Sequence, residues 1–154
     1  DEAAWNEVID TNLRGTFVVA QEFRRQLRAS TPTTEQASVV NMASTAALVA
    51  DRGEPAAHYN ASKAGVEALT KQLAVEWAHE GVRVNAVAPG VIDTPMLRMM
   101  DDPQAGRAYL DARVPLRRLG RADEVAEVVV FLASARASYI TGATVVVDGG
   151  VTAS

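Results

Sequence analysis

Hydrophobic residues recur at intervals of three and four along the first part of the chain, which is the period of an amphipathic helix. The residues that share this stripe are Trp5, Val8, Ile9, Leu13, Phe17, Ala20, Phe23 and Leu27. We therefore predict a helix from Ala3 to Arg28. Asn12 lies on the edge of the stripe, where a buried amide without a partner is unfavourable, so we expect its side chain to be hydrogen-bonded.

Further stripes of the same period predict three more helices. A long helix runs from Ala57 to His79, and its stripe contains Tyr59, Lys63, Val66, Thr70, Leu73 and Trp77. Gly81 follows this helix, as glycine commonly does because it adopts the left-handed conformation that ends a helix. A short helix is predicted over Gln104 to Ala112, and a clear one over Asp123 to Ala133.

Short apolar runs between these helices predict β-strands over Ser38 to Met42, Val82 to Ala88 and Ala143 to Val147. Helices that alternate with strands imply right-handed crossovers and a parallel sheet, and therefore an α/β fold. Ligands of open α/β sheets bind beyond the carboxyl ends of the strands. Ser44 and Pro89 lie at the ends of two of these strands, so we expect them near one rim of the sheet.

Composition excludes several kinds of function. The 154 residues carry a formal net charge of −4 and no long basic run. The sequence therefore lacks the clustered positive charge that is typical of nucleic-acid-binding proteins. The absence of cysteine excludes disulfides and thiolate metal sites and fits a cytoplasmic protein, and His58 and His79 indicate no metal site. The longest apolar run, Val128 to Ala133, is too short to span a membrane, and the acidic first residues do not resemble a signal peptide.

The segment Tyr-Asn-Ala-Ser-Lys, residues 59–63, places a phenol and an ammonium group four residues apart. In a helix the two side chains lie on one face, one turn from each other. An ammonium group beside a phenol favours the phenolate and lowers the pKa of the tyrosine, which makes it a usable proton donor near neutral pH. The pattern alone is common by chance, and an amphipathic tyrosine with a lysine that reaches solvent would also explain it.

Other segments accompany this pair in order along the chain. Asn12 stands in Asn-Leu-Arg-Gly, Ser44 ends Val-Val-Asn-Met-Ala-Ser, and a Pro-Gly pair follows the next strand. The ordered set Asn12, Ser44, Tyr59 and Lys63 resembles the catalytic tetrad of the short-chain dehydrogenase/reductase family. The resemblance covers nearly the whole chain.

The resemblance implies a role for each tetrad residue in carbonyl reduction and alcohol oxidation. Tyr59 would be the general acid or base, and Lys63 would lower the pKa of Tyr59 and bind the nicotinamide ribose. Ser44 would donate a hydrogen bond to the substrate oxygen, with Thr45 as the alternative. Asn12 would hold a water molecule that feeds protons towards Lys63.

The family's Pro-Gly-x-x-x-Thr segment after the penultimate strand is matched by Pro89, Gly90, Ile92 and Thr94. The resemblance implies that the backbone of Ile92 and the hydroxyl of Thr94 meet the nicotinamide carboxamide. It therefore implies NAD or NADP as the cofactor, bound by these residues together with Tyr59 and Lys63. The spacing of possible ligands in the sequence indicates no metal site.

Two stretches beside this predicted site differ in character. An apolar cluster after Thr94 consists of Met96, Leu97, Met99 and Met100. By resemblance this region is a mobile lid over the substrate, and ordinary helix packing would also explain it. Residues 51–58 read Asp-Arg-Gly-Glu-Pro-Ala-Ala-His, where the branch of 3-oxoacyl-carrier-protein reductases and sugar dehydrogenases usually carries Gly-Asn-x-Gly-Gln. The chain still looks most like that branch.

The chain lacks the glycine-rich phosphate loop of the family, since neither Gly-x-x-x-Gly-x-Gly nor Gly-x-Gly-x-x-Gly occurs in it. We therefore expect residues 1–154 to form a single partial domain, the C-terminal portion of a doubly wound Rossmann-type parallel sheet. The strand that contains Val39 would then have an open edge, which we expect the rest of a longer molecule to cover.

Two functions from different classes follow. The first is an NAD(P)-dependent oxidoreductase that transfers a hydride between nicotinamide and a carbonyl or secondary alcohol of a small molecule. The second is a truncated, catalytically idle family member that acts as an oligomerisation or binding module. The resemblance implies helix pairing across two interfaces, and therefore a homodimer or homotetramer. A scaffold would have no need of all four tetrad residues, which favours the enzyme.

Overall fold

The first helical region is continuous and contains one irregular turn. The computed structural model describes residues 1–30, 37–50, 55–95, 97 and 102–153. Helix α1 spans Glu2–Ile9 and helix α2 spans Gly15–Ala29, and a π-helical turn, Asp10–Arg14, joins them without a break. The helix predicted over Ala3 to Arg28 is thereby confirmed. The structure adds the wider turn, in which the amide of Gly15 donates to the carbonyl of Asp10.

In the described parts of the chain, three parallel strands form one sheet in the order β1-β2-β3. They are β1 at Ala37–Met42, β2 at Val82–Pro89 and β3 at Thr144–Val147. Ala37 lies opposite Val82, and Ala86 lies opposite Thr144. The parallel α/β sheet is confirmed, and each strand agrees with its predicted bounds to within one residue at either end.

The remaining helices also follow the sequence pattern. They are α3 at Ala57–Trp77, α4 at Pro103–Arg113 and α5 at Ala122–Ala133. A 3₁₀ turn, Ala78–Glu80, extends α3, and Gly81 ends it with a φ of 75°, a conformation that glycine adopts without strain. Within the described parts of the chain, no helix is long and apolar enough to cross a membrane.

Strand β2 lies at the centre of the hydrophobic core, because helices cover both of its faces. Ala86 and Ala88 pack with Val66 of α3. Val87 packs with Leu132 of α5. Since alternate residues of a strand point to opposite faces of the sheet, α3 and α5 enclose the strand from two sides.

Two polar side chains inside this buried strand have partners. The guanidinium group of Arg83 donates to the carbonyl of Leu132 at 2.8 Å, at the end of α5. The side chain of Asn85 donates to the carbonyl of Ile140 at 2.8 Å and accepts from the amide of Ala143 at 3.0 Å. Because a buried polar group without a partner is unfavourable, these bonds explain how both residues are accommodated in the core. They also hold the segment that leads into β3.

Glu80 joins the ends of α2 and α3. Its carboxylate accepts hydrogen bonds from the guanidinium groups of Arg24 and Arg28. The bonds from Arg24 and then Arg28 lower the pKa of Glu80 to about 2. The two helices that carry the candidate site are thereby connected at their far ends.

Strand β1 is an edge strand of the described sheet. Among the residues that the structure describes, it pairs with β2 alone, and Met42 at its end is 44% exposed. The expected open edge is therefore present. That a further strand of a longer molecule covers this edge, and that residues 1–154 form one partial domain, stay predictions.

Candidate active site

The predicted tetrad and cofactor segment approach one another at the carboxyl rim of the sheet. Ser44 lies two residues beyond the end of β1, and Pro89 ends the neighbouring strand β2. Tyr59 and Lys63 lie in the first two turns of α3, which contacts the segment after Ser44. Asn12 lies in the π-helical turn between α1 and α2, which packs against α3.

Lys63 is anchored at the end of β1. Its Nζ donates a hydrogen bond to the main-chain carbonyl of Met42 at 2.9 Å and lies 5.7 Å from the centre of the Tyr59 ring. Burial lowers the pKa of Lys63, because removing water disfavours the ammonium form. The geometry therefore holds a cation beside the phenol of Tyr59, as the helical spacing predicts.

Ser44 has a hydroxyl that remains able to donate a hydrogen bond. Its backbone is extended, and its Oγ accepts from the amide of Ala46 at 3.1 Å at the start of a 3₁₀ turn, Thr45–Ala47. An acceptor role leaves the hydroxyl hydrogen of serine available. Thr45, the alternative candidate, instead donates its hydroxyl to the carbonyl of Pro89 at 3.3 Å and thereby joins the ends of β1 and β2. This arrangement favours Ser44 as the donor to a substrate.

Asn12 is hydrogen-bonded through both its side chain and its main chain, which confirms the expectation for this amide. Its Nδ2 donates to the hydroxyl of Ser62 at 3.1 Å, and its carbonyl accepts from the hydroxyl of Thr16 at 2.7 Å. The Ser62 hydroxyl donates in turn to the carbonyl of Tyr59 at 2.7 Å. That Asn12 also holds a water molecule stays a prediction.

Gly90 occupies a position where a side chain would not fit. A Cβ atom at Gly90 would lie 2.7 Å from the Cβ of Asp148, well inside van der Waals contact. The amide of Gly90 donates to the carbonyl of Val147 at 3.0 Å, which continues the β2–β3 pairing past Pro89. The glycine of the predicted cofactor segment is therefore required by the close approach of two backbones.

The backbone of Ile92 is held by a bridge to Gly120. Ile92 forms a parallel bridge with Gly120, in which Gly120 donates to the carbonyl of Val91 at 3.0 Å and accepts from the amide of Asp93 at 2.8 Å. In such a bridge, the amide and carbonyl of the central residue point away from its partner. The N–H and C=O groups of Ile92 therefore point away from Gly120.

Thr94 follows this bridge and is half-buried, and its carbonyl accepts from the amide of Leu97 at 2.9 Å. Leu97 is the described member of the apolar cluster, since Met96, Met99 and Met100 lie outside the described residues, as do residues 51–54. The alternatives for that cluster therefore stay open.

A cavity of about 110 Å³ adjoins the Ile92 segment. Its walls are formed by Val91, Ile92, Leu116, Arg118, Gly120, Glu124, Val147, Asp148 and Gly149. Pockets for drug-sized ligands measure roughly 300–1,000 Å³. The cavity is therefore too small to hold a dinucleotide by itself, and it lies beside the predicted nicotinamide contacts.

The turn Asp148-Gly149-Gly150 has a structural role. The carboxylate of Asp148 accepts from the amide of Gly150 at 2.8 Å, and from the amide and hydroxyl of Thr152 at 2.7 and 2.9 Å. Burial opposes ionisation of Asp148, but these bonds outweigh it and lower its pKa. In the described part of the chain, no group of three or more His, Cys, Asp or Glu residues is placed to hold a metal ion.

Sequence reasoning missed two partners of the tetrad. Ser62 stands inside the Tyr-Asn-Ala-Ser-Lys segment, and its spacing of three from Tyr59 could have suggested a bond to the main chain of the preceding turn. The second partner is the main-chain carbonyl of Met42, which accepts the hydrogen bond from Lys63. Because every residue has a main-chain carbonyl, nothing in the sequence could have identified this one.

Comparison with known proteins extends the likeness over the whole chain. A family model described as enoyl-(acyl carrier protein) reductase matches residues 1–152. The galactitol 2-dehydrogenase of Rhizobium johnstonii is 42% identical over 151 residues, which cover 98% of this chain and 57% of that protein. The chain belongs to the short-chain dehydrogenase/reductase family. It spans slightly more than half the length of the curated relatives that it matches.

Solved structures of dehydrogenases share the fold. A 4-hydroxyisoleucine dehydrogenase complexed with NADH matches with a TM-score of 0.90 and 32% identity, over 100% of this chain and 61% of that one. A gluconate 5-dehydrogenase from Burkholderia cenocepacia in complex with NADP and tartrate matches with a TM-score of 0.89 and 33% identity, over 100% and 58%. The partial Rossmann-type α/β sheet expected from the sequence is confirmed.

Proposed function

We propose that the complete protein is an NAD(P)-dependent oxidoreductase that transfers a hydride between nicotinamide and a carbonyl or secondary alcohol. The observation that carries this proposal is the anchored ammonium group of Lys63, which lies 5.7 Å from the ring centre of Tyr59 at the carboxyl rim of the sheet. An acid beside a fixed cation, at the edge where α/β sheets bind ligands, is suited to proton transfer.

Each tetrad residue has a distinct role in the proposed reaction. Tyr59 gives its hydroxyl proton to the carbonyl oxygen during reduction and takes it back during oxidation. Ser44 donates a hydrogen bond to the same oxygen as negative charge develops on it. Lys63 stabilises the phenolate that Tyr59 becomes. Asn12 holds a water molecule on the path by which protons return.

The residues of the cofactor segment fit a nicotinamide. The amide and carbonyl of Ile92, which point away from Gly120, can pair with a carboxamide. The close backbone approach at Gly90 leaves no room there for a side chain. Pro89 and Thr94 flank these groups, and Lys63 would bind the ribose. The bound nicotinamide supplies or receives the hydride. We propose NAD or NADP, because the residues that select between them belong to the phosphate-binding half of the family fold.

The names of the relatives suggest which substrates to assay first. One similar protein is named a galactitol 2-dehydrogenase and another a gluconate 5-dehydrogenase. Both names describe oxidation of a secondary alcohol on a polyhydroxylated carbon chain. We therefore propose polyols and sugar acids as the first substrate class.

Exposed apolar side chains support assembly into a homodimer or homotetramer. Val18 and Val19 on α2 are 54% and 70% exposed, and Val75 on α3 is 77% exposed. Val130 on α5 is 63% exposed. These residues lie on the elements that would pair across two interfaces, and burying them against another copy would be favourable.

The test is nicotinamide-dependent turnover by the complete protein, with its intact mass measured first. We expect a mass well above 16.4 kDa and oxidation of a polyol or sugar acid with NAD or NADP. Tyr59→Phe should abolish turnover and retain cofactor binding, since it removes the proton donor alone. A protein that assembles and shows no turnover or cofactor binding with either nucleotide would instead support an idle module.

A further inference from the structure

Ser62 joins two separate segments of the candidate site through hydrogen bonds. Its hydroxyl donates to the main-chain carbonyl of Tyr59 at 2.7 Å and accepts from the side-chain amide of Asn12 at 3.1 Å. Asn12 and Ser62 are 50 residues apart along the chain. The bonds therefore connect the π-helical turn with the first turns of α3.

The direction of each bond follows from the chemistry of the groups. A hydroxyl has one hydrogen to donate, and the carbonyl of Tyr59 takes it, so Ser62 can only accept from Asn12. Ser62 is 0% exposed, which keeps water from replacing either partner. Loss of this hydroxyl would leave the amide of Asn12 without its acceptor.

We propose that Ser62 is a positioning residue that holds the main chain of Tyr59 relative to Asn12 and thereby places the phenol beside Lys63. This inference rests on the proposed function. Lys63 has its own anchor at Met42, whereas Tyr59 lies only two residues inside α3. The first residues of a helix lack some of the backbone bonds of its interior. A misplacement of about 1 Å can lower an enzymatic rate about 100-fold.

The same helix offers a matched control in Thr70. Its hydroxyl donates to the carbonyl of Val66 at 2.8 Å and accepts from the side-chain amide of Asn41 at 2.9 Å. Thr70 is also 0% exposed. It lies about 12 Å further along the helix axis than Ser62, so its bonds do not hold Tyr59. Thr70→Val removes an equally buried hydroxyl from the same kind of arrangement.

The experiment compares the complete wild-type protein with Ser62→Ala, Asn12→Ala, the double variant and Thr70→Val. We expect Ser62→Ala to lower kcat about 10- to 100-fold while the KM for the nucleotide stays within about two-fold, because binding is retained and alignment is lost. Amide hydrogen exchange should be faster in the first turn of α3 alone. The double variant should lose no more kcat than the more impaired of the two single variants, since both break one chain of bonds. Thr70→Val should melt at a lower temperature and keep its kcat.

Three results would overturn the inference. One is wild-type kcat in Ser62→Ala, and another is an equal loss of kcat in Thr70→Val, which would indicate general destabilisation. The third is additive loss in the double variant, which would separate Ser62 from Asn12. A wild-type protein without turnover would instead overturn the proposed function. Hydrogen exchange would then decide: local acceleration near Tyr59 in Ser62→Ala supports the positioning role, and unchanged exchange refutes it.

Discussion

The amine of Lys63 donates a hydrogen bond to the main-chain carbonyl of Met42 at 2.9 Å. This bond ties the second turn of α3 to the last residue of β1 and keeps the ammonium group beside Tyr59. Burial lowers the pKa of Lys63, so the position disfavours its charged form. A lysine kept in such a place is better explained by chemistry than by stability.

Replacement of this amine should separate activity from stability. We expect Lys63→Met in the complete protein to lower kcat by at least about 100-fold, because it removes the cation that supports proton transfer. Its melting temperature at neutral pH should be no lower than that of the wild type, because a half-buried charge is removed. Lys71→Met, an exposed lysine two turns further along α3, should change neither quantity. Equal kcat losses in both variants would contradict the assigned role.

The same residue predicts a dependence of stability on pH. The pKa of Lys63 is lowered in the folded state by burial, so the unfolded chain binds more protons in the interval below 10.5. The contribution of Lys63 to stability is therefore full above that value and is lost as the pH falls through the folded pKa. The melting temperature of the wild type should rise relative to that of Lys63→Met as the pH rises towards 10.5. A difference in melting temperature that does not change with pH would contradict the lowered pKa of Lys63.

The hydroxyls of Ser44 and Thr45 should differ in what their loss does. Ser44→Ala should lower kcat about 100- to 1,000-fold, as expected when a donor to a developing oxyanion is removed. Thr45→Val should mainly lower the melting temperature, because it breaks the bond to Pro89 that joins β1 to β2. Steady-state kinetics and thermal unfolding of both variants provide the measurement. A larger kcat loss in Thr45→Val would reverse the assignment.

Gly90 should tolerate no side chain. Gly90→Ala places a Cβ 2.7 Å from Asp148, and overpacking of this kind costs about 1–3 kcal/mol. Gly15→Ala is the matched control, since that glycine is helical and its Cβ would have its nearest neighbour at 3.5 Å. We expect Gly15→Ala to stabilise the protein by about 0.5–1 kcal/mol. Denaturant unfolding measures the change in the free energy of unfolding for both variants. Similar changes at the two sites would contradict the packing argument.

Glu80 should make the stability of the folded protein depend on pH in the acidic range. Its hydrogen bonds from Arg24 and Arg28 lower its pKa from 4.5 to about 2. The resulting stabilisation is full above pH 4.5 and is lost as the pH falls towards 2. The melting temperatures of wild type and Glu80→Gln should therefore converge over that interval. Glu127→Gln, which removes a carboxylate from the exposed face of α5, is the matched control. If the melting temperatures of wild type and Glu80→Gln instead differ by the same amount at every pH, the ion pairs of Glu80 do not stabilise the protein.

The helices and strands followed from the sequence because their signals are local. Apolar residues at helical spacing predicted α3 from Ala57, and Gly81 marked its end. The same period by itself placed Tyr59 and Lys63 on one face of that helix. The rest of the tetrad came from ordered motifs, whose resemblance to a family supplied the roles.

Tertiary structure alone decided which groups hold those residues in place. The contacts of Asn12 with Ser62, of Lys63 with Met42 and of Arg83 with Leu132 join residues that are 50, 21 and 49 positions apart. Such pairs depend on how whole helices pack on the sheet, because every buried donor must find an acceptor that the folded chain brings near it. Periodicity and spacing act only along one element. They therefore predicted the helices, the strands and the shared face of Tyr59 and Lys63, but not the bonds between separate elements.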